Sequence, residues 1–200
     1  MAILLRLSRL IDLLNERIAR AAFWLILVMT LISTGNAIVR KIFNMSSNAL
    51  LEIQWYLFSA VFLLCAAFAL QKNAHVRIDV IYGKFSKRTQ IWIDIFGTVF
   101  FLFPMALIIL KLSWPVFMSS FHSGETSANA GGLLLWPARL LLPVGIFMLI
   151  LQGFSEIFKR VAFLAGRGPD PTEGIAGPSE EEELAEEIRK MRRLAEGEGK

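Results

Sequence analysis

Cysteine occurs once, and histidine and tyrosine twice each, in this chain of 200 residues. The lone Cys65 excludes an intrachain disulfide and a cysteine-built zinc site. His75 and His122 fall in polar segments on opposite sides of the apolar runs, which excludes paired axial haem ligation within helices. No nucleophile–base set, phosphate-binding glycine loop or metal-ligand spacing occurs, so the chain does not read as an enzyme and no cofactor or metal is expected. Acidic residues are scarce over most of the length: residues 1–169 carry 7 acids against 16 Lys and Arg, while residues 170–200 carry 10 against 5. The basic residues flank apolar runs and form no single patch. That pattern suits anionic lipid headgroups and argues against nucleic acid.

What the chain has in abundance is apolar sequence. Hydrophobic residues make up 55%, with 16 Phe and 5 Trp, and the mean hydropathy is +0.55. These residues are grouped into runs near the ~20 needed to cross a hydrocarbon core of about 30 Å. The expected fold is all-α integral membrane, because a single helix satisfies its own backbone hydrogen bonds in lipid. Four transmembrane helices are expected, at about 21–39, 49–70, 91–112 and 137–160. Pro104 and Pro143 should kink the third and fourth.

The division into regions follows. Residues 1–20 place Ile3, Leu4, Leu7, Leu10, Ile11, Leu14 and Ile18 at helical spacing, with Arg6, Arg9, Arg17 and Arg20 between them. They read as an amphipathic interfacial helix, and their length and amphipathicity fit a signal peptide poorly. Residues 21–165 form the four-span membrane domain. A second amphipathic interfacial helix is expected between spans two and three, on the stripe Ile78, Ile81, Tyr82 and Phe85, with Asp79 near its start. The segment 113–135 reads as a polar loop bounded by Trp114 and Trp136 at the membrane surface. Residues 166–200 are a Gly/Pro linker and a charged tail, part helical, with Glu180–Glu183 at the start of a helix and Arg189, Lys190, Arg192 and Arg193 at its end.

Basic residues orient the spans. The two termini and the 72–89 segment together hold 17 Lys and Arg, and the opposite side holds only Arg40, Lys41, Lys111 and Arg139. The positive-inside rule therefore places both termini in the cytoplasm.

Polar residues in and beside the spans are the candidate sites, chiefly as contacts with a partner or with lipid. Glu52 lies in the first turn of span two, followed by Gln54 and Trp55, which can pack across helices. Asp94 sits one turn into span three. Lys111 and Arg139 lie near span ends, where they can snorkel. Gly145, Leu149, Gln152, Gly153 and Glu156 share one side of span four, where small residues and a glutamine suit close helix packing. His75, Arg77 and Asp79 are candidates for fixing the inner arm to headgroups or to a partner. Glu125 and Ser127 are candidates for ordering the outer loop or for meeting a partner.

The run Leu51-Glu52-Ile53-Gln54-Trp55-Tyr56-Leu57-Phe58, followed by Asn73-Ala74-His75-Val76-Arg77-Ile78-Asp79-Val80, resembles the small permease subunit of tripartite ATP-independent periplasmic (TRAP) transporters, the DctQ-like family. Glu125-Thr126-Ser127, Trp136-Pro137-Ala138-Arg139, Leu142-Pro143-Val144-Gly145 and Leu151-Gln152-Gly153 extend the resemblance over about residues 18–165, leaving the Glu-rich tail outside it. The resemblance implies a multi-pass protein of the bacterial inner membrane. Its partners would be a large permease subunit, which holds the substrate and sodium sites, and a periplasmic solute-binding protein that delivers an organic anion. The small subunit would be the scaffold. Two other readings compete: a small oligomeric proton-coupled exporter using Glu52, and a membrane anchor of a redox enzyme. The position of Glu52 near a span end weighs against the first, and the loop histidines weigh against the second.

Overall fold

A computed structural model describes residues 2–44, 47–73, 85–166 and 168. The inner arm with His75, Arg77 and Asp79, and the charged tail, lie outside the described residues. The elements are α1 (Ala2–Phe43), α2 (Asn48–Gln71), α3 (Lys87–Gly97), a π-helical turn (Thr98–Leu102), α4 (Phe103–Ser123) and α5 (Trp136–Leu164). Taking α3, the π turn and α4 as one rod, four helices among the described residues are long and apolar enough to cross a membrane.

α1 is continuous for 42 residues, about 63 Å at ~1.5 Å per residue. The change from amphipathic to apolar sequence near residue 20 leaves no break, because Ala19-Arg20-Ala21-Ala22 are strong helix formers with no Gly or Pro among them. Arg6, Arg9, Arg17 and Arg20 are exposed, while Ser8, Ile11, Asn15, Ala19 and Ala22 are buried at spacings of three and four. This stretch thus has a second, narrower stripe, mixed apolar and polar, that serves the bundle.

The third span is longer than the sequence reading gave it. Residues 113–123, expected as part of a loop, are the last turns of α4. Trp114, Val116, Phe117 and Phe121 carry the apolar pattern onward, and Pro115 leaves the helix continuous. The helix ends at Gly124, whose φ of 61° supplies the left-handed residue that closes a C-terminus. The loop proper is therefore 124–135. The π turn ends two residues before Pro104, whose missing N–H and ring would otherwise conflict with the preceding helical turn.

α5 is the hub. In its most apolar window 44% of residues are buried, against 11, 11 and 6% for the other three spans. α1, α2 and α4 all pack against it, and α1 also packs along α2. Close approach is built into its sequence. A Cβ on Gly145 would lie 2.8 Å from both the Cβ and the carbonyl oxygen of Leu63 in α2, and one on Gly153 would lie 2.7 Å from the Phe103 ring in α4. Phe103 and Phe154 then meet with ring centroids 4.6 Å apart. The outward faces remain apolar and uncovered, with Trp24, Trp55, Phe62 and Trp92 each more than 60% exposed, as suits surfaces that meet lipid or another chain.

Candidate functional site

Polar side chains gather at the two ends of the bundle. At the loop end, residues 124–135 fold back as a narrow arch. Thr126 and Leu134 form an antiparallel bridge, the Ser127 amide donates to the Leu133 carbonyl at 2.9 Å, and the Leu135 amide donates to the Glu125 carbonyl at 3.0 Å. Glu52, buried at the start of α2, holds this arch from below. Its carboxylate accepts from the Ser127 hydroxyl, from Asn129 Nδ2 at 2.9 Å and from the Leu133 amide at 2.7 Å. Asn48 and Tyr56 add bonds to the carbonyls of Ala130 and Leu134, at 3.1 and 3.0 Å. Arg139 clasps Glu125 through two parallel bonds of 2.5 and 3.1 Å, the paired geometry a guanidinium favours with a carboxylate. Trp136 opens α5 and meets Phe121 edge-on at 5.5 Å.

Glu52, Glu125, Ser127 and Arg139, picked out separately in the sequence, are thus brought into one assembly whose chemistry is support. A carboxylate holding three donors fixes a loop, and such loops open locally when their bonds are removed. Glu52→Ala is expected to raise protease cleavage within 125–133 by on the order of tenfold, with helix content unchanged by circular dichroism. Equal cleavage in the two proteins would show that the arch stands without this brace.

The opposite end holds a larger network. Asn15 Nδ2 donates to Gln152 Oε1 at 2.6 Å, and Gln152 Nε2 donates to Asp12 Oδ1 at 2.9 Å and Glu156 Oε1 at 3.1 Å. The Ser8 and Ser155 hydroxyls meet at 2.6 Å, and Ser155 also donates to Asp12 at 2.9 Å. Lys159 bridges Asp12 at 2.9 Å and Glu156 at 2.6 Å. Arg160, buried, reaches Glu156 at 2.5 Å and Asp94 at 3.1 Å, and also donates to Asn73 Oδ1 at 3.4 Å. One cluster therefore ties α1, α3 and the end of α2 to α5. The sequence singled out Gln152, Glu156 and Asp94. It did not single out Asp12, Asn15, Ser155, Lys159 or Arg160 as members, because their partners lie up to 147 positions away.

The remaining candidates are placed as follows. Gly145 and Gly153 touch α2 and α4 of this same chain, so their seam is internal. Gln54 bonds back to the Leu50 carbonyl at 3.0 Å and, with the exposed Trp55, borders a shallow groove that also includes Thr30, Ser33 and Thr34 of α1. Among the described residues no group of three or more His, Cys, Asp or Glu could hold a metal ion.

The fold and these two clusters define a multi-span membrane protein in which most buried polar side chains are bonded within the chain, Asn36 Oδ1, Gln71 Oε1 and Ser120 Oγ being exceptions among the described residues. The family model described as the DctQ component of tripartite ATP-independent periplasmic transporters matches residues 29–163, and the chain belongs to that family. It is a transporter subunit without catalytic function. Neither a curated protein nor a solved structure matches it.

Proposed function

We propose that this chain is the scaffolding subunit of a binding-protein-dependent uptake system for an organic acid, driven by an ion gradient. Its large permease partner would carry the substrate and sodium sites, and a periplasmic solute-binding protein would deliver the substrate. Both termini, with the Asp12–Arg160 network, would lie on the cytoplasmic side of the bacterial inner membrane, and the Glu52-braced arch would face the periplasm. The observation that supports this reading, beside family membership, is that the buried carboxylates are taken up by contacts within the chain. Glu52 accepts from the arch, and Glu156 from Gln152, Lys159 and Arg160. An alternating-access carrier would instead aim such groups into a midplane cavity.

Reconstitution tests it. Vesicles holding the large permease and this chain, supplied with the binding protein and an ion gradient, are expected to accumulate substrate. Vesicles holding either membrane chain alone are expected to stay at background. Transport by this chain alone, abolished by Glu52→Gln, would replace the scaffold reading with the exporter one.

A further inference from the structure

We infer that the first half of α1 carries a binding lane for anionic phospholipid headgroups, formed by Arg6, Arg9, Arg17 and Arg20. Only the bundle's place in a membrane is needed for this, whatever its part in transport. All four arginines are exposed, and none forms an ion pair or hydrogen bond with a described residue. Lys159 and Arg160 on α5, by contrast, are matched by Asp12, Glu156 and Asp94.

Helical geometry sets the four in one line. At ~100° per residue they fall within an arc of about 80°, and Leu13 and Trp24 lie in the same arc. The lane runs about 21 Å from Arg6 to Arg20 at ~1.5 Å per residue. The face of α1 buried in the bundle, with Ser8, Asn15 and Ala19, is centred about 160° away by the same count. Ser155 and Gln152 of α5 bond to Ser8 and Asn15 there, so the bundle does not compete for the guanidiniums. No Gly or Pro interrupts residues 2–24, which keeps the two faces in fixed register.

Two observations name the occupant. The neighbouring lane of the same helix is apolar and uncovered, with Leu7, Leu10 and Leu14 exposed by 46, 64 and 47%. An apolar lane beside a cationic one suits a helix whose leucines reach the acyl boundary while its guanidiniums meet phosphates. Trp24 then closes the arginine lane one turn beyond Arg20 and is 70% exposed, and indoles favour the headgroup level of a bilayer. An acidic protein would satisfy the charges and leave the leucines and the indole uncovered. Charge selects the class of lipid. Arg6 repels Arg9, and Arg17 repels Arg20, as like charges three residues apart on a helix. A net-negative phosphodiester relieves that repulsion and accepts paired guanidinium bonds, whereas a zwitterionic headgroup brings a cation of its own.

The test uses the full chain, alone and in complex with the large permease, titrated in mixed micelles with phosphatidylglycerol or phosphatidylcholine. Bound lipid is counted by native mass spectrometry. Wild type is expected to hold phosphatidylglycerol on the order of tenfold more tightly than phosphatidylcholine in both settings. Combining Arg6→Gln, Arg9→Gln, Arg17→Gln and Arg20→Gln should abolish the preference. Arg6→Lys, Arg9→Lys, Arg17→Lys and Arg20→Lys together should keep most of it, and an unchanged melting temperature in both variants separates a lost site from a lost fold. Arg40→Gln with Lys41→Gln, at the far end of α1, should leave the preference intact. Equal affinity of wild type for the two lipids overturns the proposal, as does a preference that survives the four glutamine changes or is lost in the Arg40/Lys41 variant. A preference present in the lone chain and absent from the complex also overturns it, because the permease then covers the lane. So does a lane that takes polyglutamate in place of phosphatidylglycerol, which makes it a protein-docking surface. If no complex forms, the scaffold reading fails, and the lone-chain titration still decides the lane.

Discussion

Arg160→Met should destabilise the bundle by about 3–5 kcal/mol, the cost of leaving a buried charge without its partner. Arg160 is almost wholly buried and donates to Glu156, Asp94 and Asn73, so its removal leaves carboxylates inside the protein with fewer donors. Exposed ion pairs are worth far less, typically ~0–1 kcal/mol, which is why the same change at Arg139, whose pair with Glu125 is partly exposed, is expected to be mild. The measurement is unfolding in detergent micelles, read by circular dichroism or by tryptophan emission. The decisive comparison is the double variant Arg160→Met with Glu156→Gln. Neutralising the stranded carboxylate should recover part of the loss, and strict additivity of the two changes would rule out the pairing as its source.

The second large effect is expected in the α2–α5 seam. Gly145→Val should cost about 3 kcal/mol, at the upper end of ordinary overpacking, because the first added atom already meets the Leu63 carbonyl oxygen and Cβ at 2.8 Å. Two terms oppose each other when glycine in a helix becomes alanine. The helix gains roughly 1 kcal/mol in propensity, and the neighbours must move. At Gly145 the neighbour includes backbone of α2, which moves only if the helix shifts, so Gly145→Ala should also destabilise. At Gly153 the nearest atom is the edge of the Phe103 ring, at 2.7 Å. A ring can tilt, so Gly153→Ala should be closer to neutral. Detergent melts of the two alanine variants test this order. The reverse order would mean that α2 yields more easily than Phe103.

The contrast between these two sites marks what sequence can reveal. The four apolar runs, the glycine-and-glutamine side of the last span and the isolated Glu52 are all local patterns, visible as run length or helical spacing. The groups that meet them come from distant parts of the chain. Ser127, Asn129 and Leu133 lie 75 or more positions from Glu52, and no periodicity links them. Lys159 and Arg160 look in sequence like basic residues that mark the end of a span, and their value for orientation hides their role as counter-ions. Asp12 sits among arginines that outnumber it, so its stripe toward α5 is masked by the wider amphipathic pattern. The over-long third span has a simpler cause. Serines and a proline near Trp114 imitate a loop, yet the aromatic residues among them keep the helix going.

The π turn has a geometric consequence of its own. In an unbroken α-helix, Asp94 and Phe103 would point in directions roughly 180° apart at ~100° per residue. Both nevertheless meet α5, Asp94 through Arg160 and Phe103 through Gly153 and Phe154. The wider turn at Thr98–Leu102 takes up rotation between them, acting as a phase correction within one rod. Winding those same residues as ordinary α-helix would force the rod to choose between gripping α5 by its charge and gripping it by its aromatic ring.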